Sequence, residues 1–222
     1  MSSYFSKDFP VFFKELAANN SKDWMDDNRK RYAQVVKKPF ENFVEALQQA
    51  VGEFDEEITL KPGDSIFRIN RDIRFSKDKT PYKTNRTAII SKYGRKDKVY
   101  PGFYISLSPE KVMVGGGAYF LEKENLYKVR QEIAYNLEEF DCLINDKKFK
   151  ANFPEILGAK NKLIPKEFKD DAKIQPLLLN KGFFFMKDLP ADLIFDNNVV
   201  NVLIENMKTA SPFNNFLRRA LS

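Results

Sequence analysis

Apolar residues recur at helical spacing over the first fifty positions, then alternate with polar ones through the middle of the chain. Residues 9–18 set Phe12, Phe13, Leu16 and Ala17 on one stripe, and Pro10 suits the first turn of a helix. Asn19, Asn20 and Ser21 break the pattern, and Ser21 can cap a second helix over residues 22–36. Trp24, Asn28 and Tyr32 recur there every four residues and share a face. That stripe fits either packing of the two rings with Asn28 at the surface, or the lining of a pocket. Pro39 opens a third amphipathic helix to residue 54, carried by Phe40, Phe43, Val44, Leu47, Val51 and Phe54.

The period then changes to two. Residues 66–75 predict a strand, with Phe67, Ile69, Arg71, Ile73 and Phe75 on one face and Ile66, Arg68, Asn70, Asp72 and Arg74 on the other. Arg71 interrupts an apolar face, so it is the basic residue best suited to a structural role. Residues 76–81 form a turn or ordered loop that Pro81 closes. Further strands are predicted over residues 85–92, 102–108 and 111–114, joined by short connections that favour antiparallel pairing. Gly115, Gly116 and Gly117 are expected to end the last of these, by a bulge or sharp exit, or as amides that cradle an anion. Helices follow over residues 122–140 and 197–209, with a short terminal one from Pro212 to residue 220. Between them, residues 145–150 can begin a small unit, residues 152–176 read as mostly loop, and residues 183–187 as a late strand. The fold class is α+β: a central, mainly antiparallel sheet packed with N-terminal, middle and C-terminal helices. Residues 1–222 read as a single domain.

Charge changes the picture in one place. Across residues 68–98 there are eleven Lys and Arg against three Asp, while the rest of the chain holds 26 basic and 28 acidic residues. All the excess positive charge therefore lies in one segment, which suits an anionic partner. The chain has no histidine, which excludes Ser-His-Asp and Cys-His catalysis and histidine-ligated metals. No metal or cofactor is expected. The one cysteine, Cys142, cannot form an internal disulfide and reads as a buried core residue near a helix end. The start of the chain does not read as a secretory leader, so none is expected, and no apolar run approaches the roughly 20 residues that span a bilayer, so a cytoplasmic protein without a membrane partner is expected.

Residues 68–83, RINRDIRFSKDKTPYK, are the densest chemistry in the chain. They resemble the central signature of a widespread bacterial and fungal family of conserved hypothetical proteins, domain of unknown function 2461. NNSKDWMDDNRKRY (residues 19–32), YPGFYISLSP and VGGGAYF (within residues 100–120) resemble the same family, so the likeness covers nearly the whole chain. Met25 stands where an aromatic residue is usual after Trp24. The resemblance implies a single α+β domain and carries no activity with it.

From the residues themselves, the segment suits a phosphorylated or otherwise anionic small molecule. The expected ligand set is Arg68, Asp72, Arg74, Lys77, Asp78, Lys79, Tyr82, Lys83 and Gly116, with Trp24, Asn28 and Tyr32 as possible pocket lining. Arginine offers rigid bidentate donors to such groups. Three alternatives stand beside this: a structural ion-pair network without a ligand, nucleic-acid binding through the basic residues and their aromatics, and an enzyme using Asp72 or Asp78 as base or a lysine as nucleophile.

Overall fold

The computed structural model describes residues 3–59 and 61–222; Met1 and Ser2, which open the stretch read as lacking a leader, and Leu60 lie outside it. Helix α1 (Asp8–Ala18) buries Phe9, Phe12, Phe13 and Leu16. Helix α2 (Lys22–Asp27) starts where the Ser21 hydroxyl accepts from the Trp24 amide at 3.2 Å. The single helix expected over residues 22–36 is interrupted. Asn28 leaves helical dihedrals (φ −97°, ψ 8°), and its side-chain amide donates to the Trp24 carbonyl at 2.9 Å, a local bond that competes with the helix. A single turn, α3 (Arg29–Arg31), then widens into a π-helical turn at Tyr32–Lys37 before α4 (Lys38–Gly52) resumes regular winding. The apolar stripe of α4 is buried as its spacing predicts, through Phe40, Phe43, Val44, Leu47 and Val51.

After the short α5 (Pro62–Ser65) come β1 (Arg86–Ile90), β2 (Gly102–Leu107) and β3 (Lys111–Ala118). The late strand β4 (Phe183–Pro190) joins them in one sheet of order β1-β2-β3-β4 with every pairing antiparallel. Helices lie on both sides, so the α+β class stands. Between β3 and β4 run α6 (Lys123–Tyr135), α7 (Leu137–Asn145), α8 (Lys147–Asn152) and the short α9 (Asp171–Ile174). The helix predicted over residues 122–140 is thus two helices. They part at Asn136, whose side chain donates to the Glu132 carbonyl at 3.0 Å. Cys142 is exposed on α7 rather than buried, because Phe140 holds the core-facing position.

Two breaks expected from the sequence do not occur. The glycine triplet lies inside β3 and does not end it. Gly116 sits opposite Phe103 on one side and Phe185 on the other. A Cβ there would lie 2.6 Å from the Gly102 carbonyl oxygen and 2.7 Å from the Phe185 ring, so the absent side chain is what lets phenylalanines pack across the strand. Gly117 adopts φ 96°, which side chains rarely take. Likewise α10 (Val199–Leu221) runs unbroken through Pro212. Proline inside a helix costs about 3 kcal/mol. Burial on both sides of it, at Leu203 and Met207 before and Phe213, Phe216 and Leu217 after, outweighs that cost. Past the proline, Asn214 donates to the Gly102 carbonyl at 3.2 Å and Arg218 to the Pro101 carbonyl at 3.0 Å. Arg218 also pairs with the equally buried Asp55 at 2.8 Å.

Gly117→Ala is expected to destabilise the protein by at least ~2 kcal/mol, because it adds backbone strain to a collision with the Phe183 carbonyl and the Phe184 Cα. Equilibrium urea unfolding measures this; a cost within error of zero would show that β3 and β4 are not packed as described.

Candidate functional site

The signature segment is extended but is not the regular strand its alternation predicts. It lies along the outer edge of β1, touching its return at two isolated antiparallel bridges, Ile66 with Ala88 and Asn70 with Tyr82. Backbone bonds from Phe67 to Thr87 (3.0 Å), Arg71 to Pro81 (2.8 Å) and Lys83 to Ile69 (2.9 Å) complete the contact. Continuous pairing stops because Pro81 has no N–H and because charged side chains take over the backbone's partners beyond Arg71.

Both arginines of this stretch are neutralised within the loop, while Lys77 and Lys79 have no carboxylate partner among the described residues. Arg71 pairs with Asp78 and with the Thr80 hydroxyl and carbonyl, contacts that tie the loop together, and it is half-buried and not set into an apolar face. Arg74 grips Asp72 with two bonds, 3.0 and 2.7 Å, and this holds the Asp72 carboxyl down to about 2. Asp78 is also held low, chiefly because its oxygen accepts from the Thr80 amide (2.9 Å), with the Thr80 hydroxyl and Arg71 adding to this. Lys79 donates to the Ile73 carbonyl at 2.9 Å. Lys77 is exposed, and no ion pair holds it among the described residues. Phe75, expected on the apolar face, is instead 96% exposed, with the Arg74 guanidinium 5.8 Å from its ring centre.

Two expected ligand residues serve the fold instead. The Tyr82 ring belongs to the hydrophobic core and offers no stacking surface. Its backbone is clamped by Asn20, which donates to its carbonyl (2.9 Å) and accepts from its amide (3.0 Å). Gly116 is buried in the sheet ladder, so its amide is not part of an anion cradle. Trp24 and Tyr32 pack on Phe12, with ring centres 5.4 and 5.7 Å away, while Asn28 bonds back to its own helix.

A second group of cations without ion pairs among the described residues lies towards β1. Arg68 is exposed, Lys83 half-buried, and Arg86, at the start of β1, is only 4% exposed. The Arg86 guanidinium donates to the Phe67 carbonyl at 2.9 Å and lies 5.2 Å from the Phe40 ring centre; its Nε is buried with no partner. Burial holds its pKa below the ordinary value, against the opposing pull of Tyr32 and Glu41. Burial also raises Tyr32, while Arg86 lowers it. Lys83 rests 5.6 Å from the Phe67 ring centre, and its pKa is lowered by desolvation first, then by Arg86 and Arg68. Three cations thus share one region, with Glu41 the one carboxylate whose field bears on Arg86, and no ion pair joins those two among the described residues. The π-helical turn begins at Tyr32, and such turns are frequent at functional sites.

Sequence reasoning missed Arg86 and Glu41. Arg86 heads the run RTAII, on the same strand face as Ala88 and Ile90, both fully buried. An arginine in phase with core residues, and with no acid nearby in the sequence, was the available signal. No group of three or more His, Cys, Asp or Glu is placed to hold a metal among the described residues.

Asn20→Ala is expected to cost about 1–3 kcal/mol, since it strands both Tyr82 backbone groups. Hydrogen exchange should speed up at Tyr82; unchanged exchange there would refute the clamp. Lys83→Met keeps the stem on Phe67 and removes the charge. With the folded pKa of Lys83 below the unfolded one, the unfolded chain binds the proton more tightly. The resulting penalty is fully present at neutral pH and fades as pH rises through the folded pKa towards the ordinary lysine value of 10.5. Lys83→Met should therefore be the more stable protein at pH 7, by less than about 1 kcal/mol given solvent screening. That advantage should shrink in the alkaline range; a difference flat with pH would contradict this account.

No curated protein matches the chain. The family model of the conserved hypothetical protein DUF2461 matches residues 8–216 of the 222, and the chain belongs to that family.

Proposed function

We propose that the protein binds a small phosphorylated or otherwise anionic ligand where Arg68 and Lys83 meet the surface above Arg86. The observation that carries this is the positive charge left without a carboxylate. Arg71 and Arg74 are matched by Asp78 and Asp72, whereas Lys83 has no carboxylate partner among the described residues, and its pKa is lowered by desolvation first and then by two neighbouring arginines. A group of cations that raise one another's free energy is relieved by an anion, and the relief appears as affinity. Arg68 supplies a guanidinium fork, Lys83 a point charge, and Arg86 a field from beneath that costs no reorganisation on binding. Asp72, Arg74, Lys77, Asp78 and Lys79 form a flanking loop in this reading.

Nucleic-acid binding is a second reading, favoured by one observation. Phe75 is almost wholly exposed beside Arg74, and an exposed ring can stack on a base.

A thermal-shift series with inorganic phosphate, sugar phosphates, nucleotides and short oligonucleotides separates the two. A ligand at about 100 times its Kd stabilises by about 2.7 kcal/mol. Small anions are expected to raise the melting temperature of the wild type and of Arg74→Ala. They should bind Arg68→Ala and Lys83→Met at least tenfold more weakly, although Lys83→Met melts higher without ligand. Affinity should fall on the low side of pH 10.5, as Lys83 loses its proton. If no anion shifts the wild type, the proposal fails. If oligonucleotides alone do so, with a steep salt dependence and loss in Phe75→Ala, the second reading replaces it.

A further inference from the structure

A cavity of about 870 Å3 opens between α6 and the loop 161–165, inside the roughly 300–1,000 Å3 of small-molecule sites. None of the signature residues lines it, so it is separate from the cationic group above. Leu121, Leu126, Ile164 and Pro165 form apolar walls, and Leu163 stands at the lip, 84% exposed. Exposing a large aliphatic side chain beside an apolar cavity leaves surface that a ligand can cover.

One buried charge is set into this lining. Arg130, from α6, is 4% exposed. Its Nε donates to the Leu178 carbonyl at 2.8 Å and its Nη2 to the Asn180 carbonyl at 3.2 Å. These bonds fix the guanidinium plane but bring no negative charge. No carboxylate pairs with Arg130 among the described residues, and burial alone accounts for its lowered pKa. Its Nη1 makes no hydrogen bond among the described residues and is not sealed from solvent. Lys123, Lys128 and Lys181 add positive charge around the cavity, against Glu124.

We propose that this cavity binds an amphipathic carboxylate, a small molecule with an apolar body and one carboxyl group. The body lies along the leucines and Pro165, and the carboxylate accepts from Arg130. A neutral apolar molecule would fill the walls but leave the guanidinium desolvated and without a counter-charge. A free phosphate or sugar phosphate would meet the charge and leave the walls wet. A carboxylate on an apolar chain satisfies both, and the planar guanidinium matches a carboxyl group in shape.

Octanoate, octanol and acetate divide the proposal into its parts. Octanoate at millimolar concentration is expected to raise the melting temperature and to give a saturable heat in calorimetry. Acetate has the head without the body, and octanol the body without the head; each should bind at least tenfold more weakly. Arg130 also supports two backbone carbonyls, so its removal could unfold the chain. The test therefore uses Leu163→Asp and Lys181→Glu, both at exposed positions. Each should weaken octanoate at least fivefold without changing the unliganded melting temperature, while Lys83→Met leaves octanoate binding intact. Equal binding of octanol and octanoate, or unaltered octanoate binding by Leu163→Asp, overturns the proposal. So does the absence of any octanoate response. Loss in Lys83→Met would place octanoate at the other cationic group and overturn it too.

Discussion

A guanidinium is held under the surface at Arg86 with no carboxylate paired to it among the described residues, and three parts of the chain meet there. α4 supplies the Phe40 ring, the π-helical turn supplies Tyr32, and the signature segment supplies the Phe67 carbonyl. Taking a cation out of water costs several kcal/mol unless its surroundings compensate. A carbonyl dipole and a ring face do so in part. The uncompensated remainder adds positive potential nearby: the pKa of Lys83, lowered first by its own desolvation, is lowered further by Arg86 and Arg68. The N-terminal helices and the signature are therefore coupled electrostatically as well as through the Asn20 clamp on Tyr82.

This sorts the basic residues by what they do rather than by how many there are. The excess of Lys and Arg over Asp in residues 68–98 marks a region, not a site. Once the pairs are taken away, the loop around Arg71 and Arg74 keeps only the charges of Lys77 and Lys79, and its ion pairs fix its shape in place of a regular ladder. Exposed pairs of this kind contribute little to stability, because water and salt screen them. What they do is leave Phe75 outside: with both arginines turned back onto aspartates and Lys79 onto a carbonyl, the loop closes on itself before the ring reaches the core.

The elements whose burial follows one period were legible in the sequence. The stripe of α4, the N-cap at Ser21 and the antiparallel hairpin of β2 and β3 all appear where the pattern puts them. The failures have specific physical causes. Glycine carries no side chain, so β3 loses its alternation just where it packs most tightly, and a strand interior looks like its end. Pro212 signals a stop that tertiary burial overrides. Residues 66–75 alternate correctly, but alternation says nothing about whether a neighbouring backbone is free to pair; Pro81 and the side-chain clamps leave only two bridges. Arg86 was hidden because its significance lies in the acid that is missing beside it, and that absence is three-dimensional. The fold class and the region of the candidate site could be read from the chain. The division between paired and unpaired cations could not.

The same electrostatics bears on catalysis. Asp72 and Asp78 are held ionised by the donors around them, which makes them firm acceptors of hydrogen bonds and weak general bases. Lys83 has a lowered pKa, so it has moved towards the neutral amine that a nucleophile requires. An anion bound at Arg68 and Lys83 acts in the opposite direction. It stabilises the ammonium, raises its pKa and removes the nucleophile. Binding an anion and attacking it with the same amine are therefore opposed uses of this position. On the binding reading proposed above, the two arginines beside Lys83 would serve to hold an anion and not to react with it.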